Sequence, residues 1–157
     1  MDFFFRKMVR DQFQAVTKLA GEITETIKGG GSDDKLGAER ELLGKALEDV
    51  QGLIGVLGGW LMKAQEDINE IYRVGLNTTR LLMACGDLVI GWLLLKQADV
   101  ATAALEAGAS EKDQDFYKGK IVTAKWFAQN RLPLLAAERA LAESTDLEIM
   151  EIDEALF

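Results

Sequence analysis

Pro133 is the only proline in 157 residues. Proline lacks an amide proton and its ring clashes with the preceding turn, so long helices exclude it, whereas β-rich folds use it at turns and sheet edges. A chain of this length with one proline reads as helix almost throughout, interrupted once. The length suits one domain able to bury a real core. With 48% hydrophobic and 28% charged residues, it is balanced for a globular fold rather than a disordered one.

Apolar spacing locates four long helices, an all-α, up-and-down bundle. The first runs over residues 2–28, with Phe5, Val9, Phe13, Val16, Ala20, Ile23 and Ile27 three and four apart, and stops at Gly29-Gly30-Gly31. Ser32 is positioned to cap the next helix, with Asp33 and Asp34 in its first turn. In that second helix Leu43, Leu47, Val50, Ile54, Leu57, Leu61, Ala64 and Ile68 form a heptad-like seam. Gly52, Gly55 and Gly59 lie on a neighbouring face; each costs about 1 kcal/mol inside a helix, so the stripe predicts close approach of another helix.

After a break at residues 67–70, a third helix carries Ile71, Val74, Leu81, Cys85, Leu88, Trp92 and Leu95 as its main seam. Leu82, Val89 and Leu93 add a second apolar face. Two apolar faces predict neighbours on two sides, making this the most buried element. An alanine-rich tail ends at Gly108. The fourth helix begins at Ser110, with Asp113 placed for a capping box, and turns Phe116, Tyr117, Ile121, Ala124, Phe127 and Ala128 inward. Pro133 predicts a kink near Arg131, with helix resuming over 134–142. An acidic tail, 144–157, closes the chain.

Few residues are equipped for chemistry. There is no histidine, and the one cysteine, Cys85, sits in an apolar run and reads as a buried reduced thiol. Glu66, Asp67 and Glu70 lack the histidine that di-metal helical sites pair with glutamate, so they read as a solvated end. Asp87 lies in the most apolar stretch and reads as a structural buried acid, paired with one of Arg73, Arg80, Arg131 or Arg139. Trp60, Trp92 and Trp126 share the spacing of the leucines and read as core. The Arg6, Lys7, Arg10 group is a weak candidate for gripping a phosphate. No residue is assigned a catalytic, cofactor-binding or metal-binding role.

A net charge of −8 argues against nucleic acid, which is held by clustered Lys and Arg. The apolar stretch 81–95 contains Asp87 and is shorter than the ~20 residues that span a bilayer. No secretory signal opens the chain, so a cytoplasmic location is expected.

An apolar run that starts at Phe3, Phe4 and Phe5 needs a surface to pack on, and reads as the start of a piece cut from a longer enzyme. Four stretches carry a resemblance. Residues 2–11, Asp2-Phe3-Phe4-Phe5-Arg6-Lys7-Met8-Val9-Arg10-Asp11, look like the stretch that follows the Glu-Gly-Thr and Ile-Gln motif of certain acyl-CoA dehydrogenases. Residues 58–67 and 116–128, the latter followed by Leu132-Pro133, resemble helices of the extra C-terminal domain in that subfamily. Residues 149–157 look like its end.

The resemblance implies a parent enzyme that oxidises an acyl-CoA thioester between Cα and Cβ, with a glutamate removing the α-proton and FAD taking the hydride. That glutamate would precede this chain, so the fragment alone would be no enzyme and would hold no cofactor. Its partners would be the dehydrogenase core and further copies of the chain, and acyl-CoA only through the parent. No nucleic acid and no membrane would be bound. The expected layout is one helical domain over 1–157: residues 1–28 link to the core, 33–143 form the bundle and 144–157 the tail. Phe3, Phe4, Phe5, Gly52, Gly55 and Gly59 are the candidate interface. The rival readings are a stand-alone helical interaction module and a membrane-associating appendage; the acidic charge counts against the second.

Overall fold

The computed structural model describes residues 1–29 and 34–156, and among these every regular element is helical. A π-helix at Phe3–Val9 leads into α1 (Gln14–Lys28). Then come α2 (Gly37–Lys63), α3 (Glu70–Glu106), α4 (Glu111–Asn130) and α5 (Leu134–Glu143), with single 3-10 turns at Glu148–Met150 and Glu154–Leu156. The long pair α2 and α3 forms the centre. α1 and α5 pack mainly on α2, and α4 packs on α3. The short 64–69 connection forces α2 and α3 to run antiparallel as neighbours.

The first helix is not continuous. Its opening winds as a π-helix, and Gln12 and Phe13 then take left-handed φ angles of 53° and 61° before α1 begins. The wider turn places Phe4 and Met8 together in the core, 0% and 3% exposed. The reversal then brings Phe13 back onto Phe4, ring centroids 6.3 Å apart, while the Phe13 amide donates to the Met8 carbonyl at 2.9 Å. The Asp11 carboxylate accepts from the Ala15 amide at 2.7 Å and satisfies one free donor of α1.

On α2 the buried line runs through Leu43, Leu47, Val50, Leu53, Leu57 and Trp60. Ile54 and Leu61, expected on the seam, are only half-buried, and Ile68 lies beyond the helix, 70% exposed. The seven-residue repeat holds through Leu43, Val50 and Leu57, and the positions that accompany it inward are Ala46, Leu53 and Trp60, one residue earlier than 54 and 61. The expected cap Ser32 and its neighbour Asp33 lie outside the described residues. Asp34 precedes the helix instead of joining its first turn, and its carboxylate accepts from the Leu36 amide at 3.0 Å.

α3 buries Val74, Leu81, Leu88 and Leu95 and meets α2, α4, α1 and the π-helix. Its second apolar face is covered only in part: Val89 packs against the core, while Leu82 and Leu93 are 47% and 45% exposed. At α4, Ser110 does not cap an amide: its hydroxyl donates to the Asp113 carboxylate at 2.6 Å. Phe116 and Trp126, both expected in the core, face solvent, because α4 inserts only its small residues Ala124 and Ala128 fully against α3. The break at Pro133 stands where proline predicts it, between Asn130 and Leu134. It lets α4 lie on α3 while α5 crosses to α2.

Candidate functional site

Between α1, α2 and α3 the bundle leaves a cavity of about 420 Å³. Ile23, Leu47, Val50 and Leu88 line its depth, and Phe3 and Met8 of the π-helix form one wall. The periodicity of three helices converges here because each turns its apolar stripe to the same axis. Polar lining is limited to the Gln51 amide and the Cys85 thiol. Burial pushes the Cys85 thiol up to about 12, so it stays protonated and unreactive near neutral pH. The cavity therefore offers apolar contact and no acid, base or nucleophile.

Several charged side chains are engaged within the bundle. Asp87, beside Leu88, accepts from Arg131 at 2.8 Å and fastens α3 to the C-terminal end of α4. Arg40, 7% exposed, is the densest node. Its guanidinium reaches Asp34 at 2.7 Å, Asp99 at 2.5 Å and the Thr26 carbonyl at 2.5 Å, tying α1, α2 and α3 together. Trp92 adds an indole N–H to the Thr26 hydroxyl at 2.8 Å. Glu39, 3% exposed, accepts from Gln129 at 3.1 Å. At the other end of the bundle Arg73 donates to the Thr145 carbonyl at 2.6 Å, Asn77 to the Thr145 hydroxyl at 2.9 Å, and Arg80 pairs with Glu138. The Arg40 and Glu39 contacts were missed by the pattern reading, since both sit among the charged residues that open α2 and their partners lie on other helices.

The expected interface residues separate. Phe4 is wholly inside, while Phe3 and Phe5 are half-buried against the core. Gly52 is covered by this chain's own Arg139: a Cβ there would stand 2.6 Å from Arg139 Cζ. Arg139 also lies 3.7 Å from Asp49 and 2.8 Å from Glu143, which hold its guanidinium more firmly protonated than usual. Gly55 and Gly59 face open space. Glu70 is 3.3 Å from Arg73, and the Asp67 carboxylate accepts from the Asn69 amide at 3.0 Å. Arg6 pairs with Asp2 at 2.9 Å.

α3 is long and apolar enough to cross a membrane by length and composition alone. Its seam nevertheless packs against α2 and α4, as a core helix does.

Comparison with known proteins extends the reading. Residues 19–153 match the family described as acetyl-CoA dehydrogenase C-terminal like. The chain is 51% identical, over 99% of its length, to the broad-specificity linear acyl-CoA dehydrogenase FadE5 of Mycobacterium tuberculosis, of which it covers 26%. It is 30% identical over 92% of its length to a 3-methylmercaptopropionyl-CoA dehydrogenase of Ruegeria pomeroyi, covering 23% of that protein. A butyryl-CoA dehydrogenase of Syntrophomonas wolfei is 24% identical over 98% of the chain, which covers 24% of it. The chain thus spans about a quarter of the length of these curated relatives. With a match running from α1 into the acidic tail, the chain belongs to the acetyl-CoA dehydrogenase C-terminal-like family.

Proposed function

We propose that this chain is the C-terminal structural and oligomerisation domain of an FAD-dependent acyl-CoA dehydrogenase, and that it contributes no catalytic, flavin-binding or metal-binding residue. The parent enzyme oxidises an acyl-CoA between Cα and Cβ, with its base and flavin held outside these residues. The family match over 19–153 carries the reading. The chemistry of the site supports it, since Arg40, Asp87, Arg131 and Glu138 are each engaged within the bundle and the cavity holds no acid–base pair.

The partner surfaces are the half-buried Phe3 and Phe5 and the open Gly55 and Gly59. Phe4 and Gly52 act from within, Phe4 by anchoring the π-helix and Gly52 by making room for Arg139. The uncovered face of α3 adds apolar area to what a dehydrogenase core or a second copy would bury. The test has two parts. The purified chain should show no flavin absorbance and no turnover of acyl-CoA with an electron acceptor; stoichiometric flavin or turnover refutes the division of labour. Sedimentation across a concentration series should show self-association, and a strict monomer refutes the oligomerisation role.

A further inference from the structure

We propose that the outer face of α3 is a docking surface for α3 of a second copy of this chain, the two helices antiparallel about a two-fold axis, with Thr79 of each copy against Gln97 of the other. The proposal rests on the oligomerisation reading and adds the face, the direction and the register.

α3 carries a second seam besides the one it buries. Leu76, Met83, Ile90 and Gln97 recur every seven residues, and each is followed three residues later by Thr79, Gly86, Leu93 or Val100. All of these positions are exposed, Met83 at 63% and Val100 at 67%, and none is charged. An alternation of three and four is the spacing by which one helix receives the knobs of another. At 1.5 Å per residue the strip is about 36 Å long, a continuous apolar surface of the kind that marks an interface.

The order of residues along the seam selects the occupant. In one antiparallel register Leu76 meets Val100, Thr79 meets Gln97, Met83 meets Leu93 and Gly86 meets Ile90, each partner coming from the other copy. Three layers are apolar, and the two polar residues of the seam share the fourth. Gly86, where an added Cβ would find no atom within 4 Å, leaves the hole that Ile90 fills. Parallel pairing would set Gly86 on Gly86 and leave that hole empty.

The flanks complement each other in the same register. Lys120 of α4 borders the seam at Gln97, to which it donates at 2.9 Å, and Glu138 of α5, paired with Arg80, borders it beside Thr79 and Met83. A two-fold axis lying in the interface and perpendicular to α3 keeps the α4–α5 flanks of both copies on one side. With Thr79 against Gln97, Glu138 of each copy then comes level with Lys120 of the other, and opposite charges meet twice. A parallel pair would carry the flanks to opposite sides and part these charges.

The experiment is sedimentation of the purified chain across a concentration series beside Met83→Glu and Gly55→Glu, with cysteine pairing to read the register. Met83→Glu puts a charge into the seam twice per dimer. It should keep its helicity, because Met83 lies outside the core, and raise the dimer dissociation constant at least about tenfold. In a Cys85→Ala background, chains carrying Met83→Cys mixed with chains carrying Leu93→Cys should, on mild oxidation, give mostly the mixed disulfide dimer. Disulfides between like chains in equal or greater amount overturn the antiparallel register. Association lost in Gly55→Glu but kept in Met83→Glu leaves the oligomerisation reading standing on another face and overturns this one. A strict monomer overturns both.

Discussion

Leu132 rests its isobutyl group directly on the backbone of Gly91: a Cβ at 91 would stand 2.8 Å from Leu132 Cδ2 and 3.2 Å from Cδ1. Leu132 is 1% exposed and immediately precedes the Pro133 break, so this contact fixes where the α4–α5 corner sits on α3. Gly91→Ala should therefore destabilise the chain by about 1–3 kcal/mol through overpacking, despite the better helix propensity of alanine. Gly55→Ala meets no atom within 4 Å and should stabilise by up to about 1 kcal/mol. Urea melts of the two variants should move in opposite directions.

Two arginine–carboxylate contacts that look alike should differ in weight. Arg40 is 8% exposed at its side chain and holds two carboxylates and a carbonyl, so Arg40→Met should cost roughly 2–4 kcal/mol by leaving Asp34 unpaired. That figure is lowered because Asp99 is 37% exposed and screened by water. Arg131 is 43% exposed, so Arg131→Gln should cost about 1 kcal/mol or less. Denaturant midpoints for both variants, compared at constant slope, give the ratio.

Cys85 predicts a pH dependence. Burial raises its folded value from 9.0 to about 12, so the unfolded chain releases the thiol proton first. Its contribution is whole below pH 9 and is lost as pH climbs toward 12. Wild-type stability should fall over that window more steeply than that of Cys85→Ala. Parallel slopes for the two proteins would contradict the assigned burial.

Leu88 is 4% exposed and reaches both the α2–α3 contact and the cavity. Leu88→Ala should cost about 2–5 kcal/mol, since the existing space beside it leaves little for neighbours to collapse upon. A loss under about 1 kcal/mol in thermal or denaturant melts would place the centre of the core elsewhere.

The helical class, the α2–α3 break and the corner at Pro133 were legible because each follows from local rules: apolar spacing, turn residues and a missing amide donor. Misplacements arose where tertiary packing chose between equivalent stripes. Phe116 and Trp126 share the helical spacing of α4's inward residues, yet the close fit to α3 admits Ala124 and Ala128 and turns the aromatics out. The glycine stripe on α2 pointed to a close approach, and Arg139 makes one at Gly52, but a second close approach lies at Gly91, a lone glycine with no stripe to announce it. Asp87 was legible as a paired acid from its setting, while Arg131 as the partner was one of four open choices. The left-handed pair Gln12 and Phe13 carried no signal, because neither is a residue that favours that conformation. The cavity too was invisible, since it comes from three helices failing to close on one another.

α3 runs unbroken for 37 residues, and the two polar clusters fasten to it far apart, at Arg73 and at Asp99. At 1.5 Å per residue those points are about 39 Å distant along one rod. Such a separation shares no side chain between the clusters, so damage at one should not be felt at the other. The bundle is thus latched twice, once near each end, and the free-energy losses of Arg40→Met and Arg73→Met should add to within about 0.5 kcal/mol in the double variant. One latch can open, through heat or through a partner's pull, while the far end keeps its register.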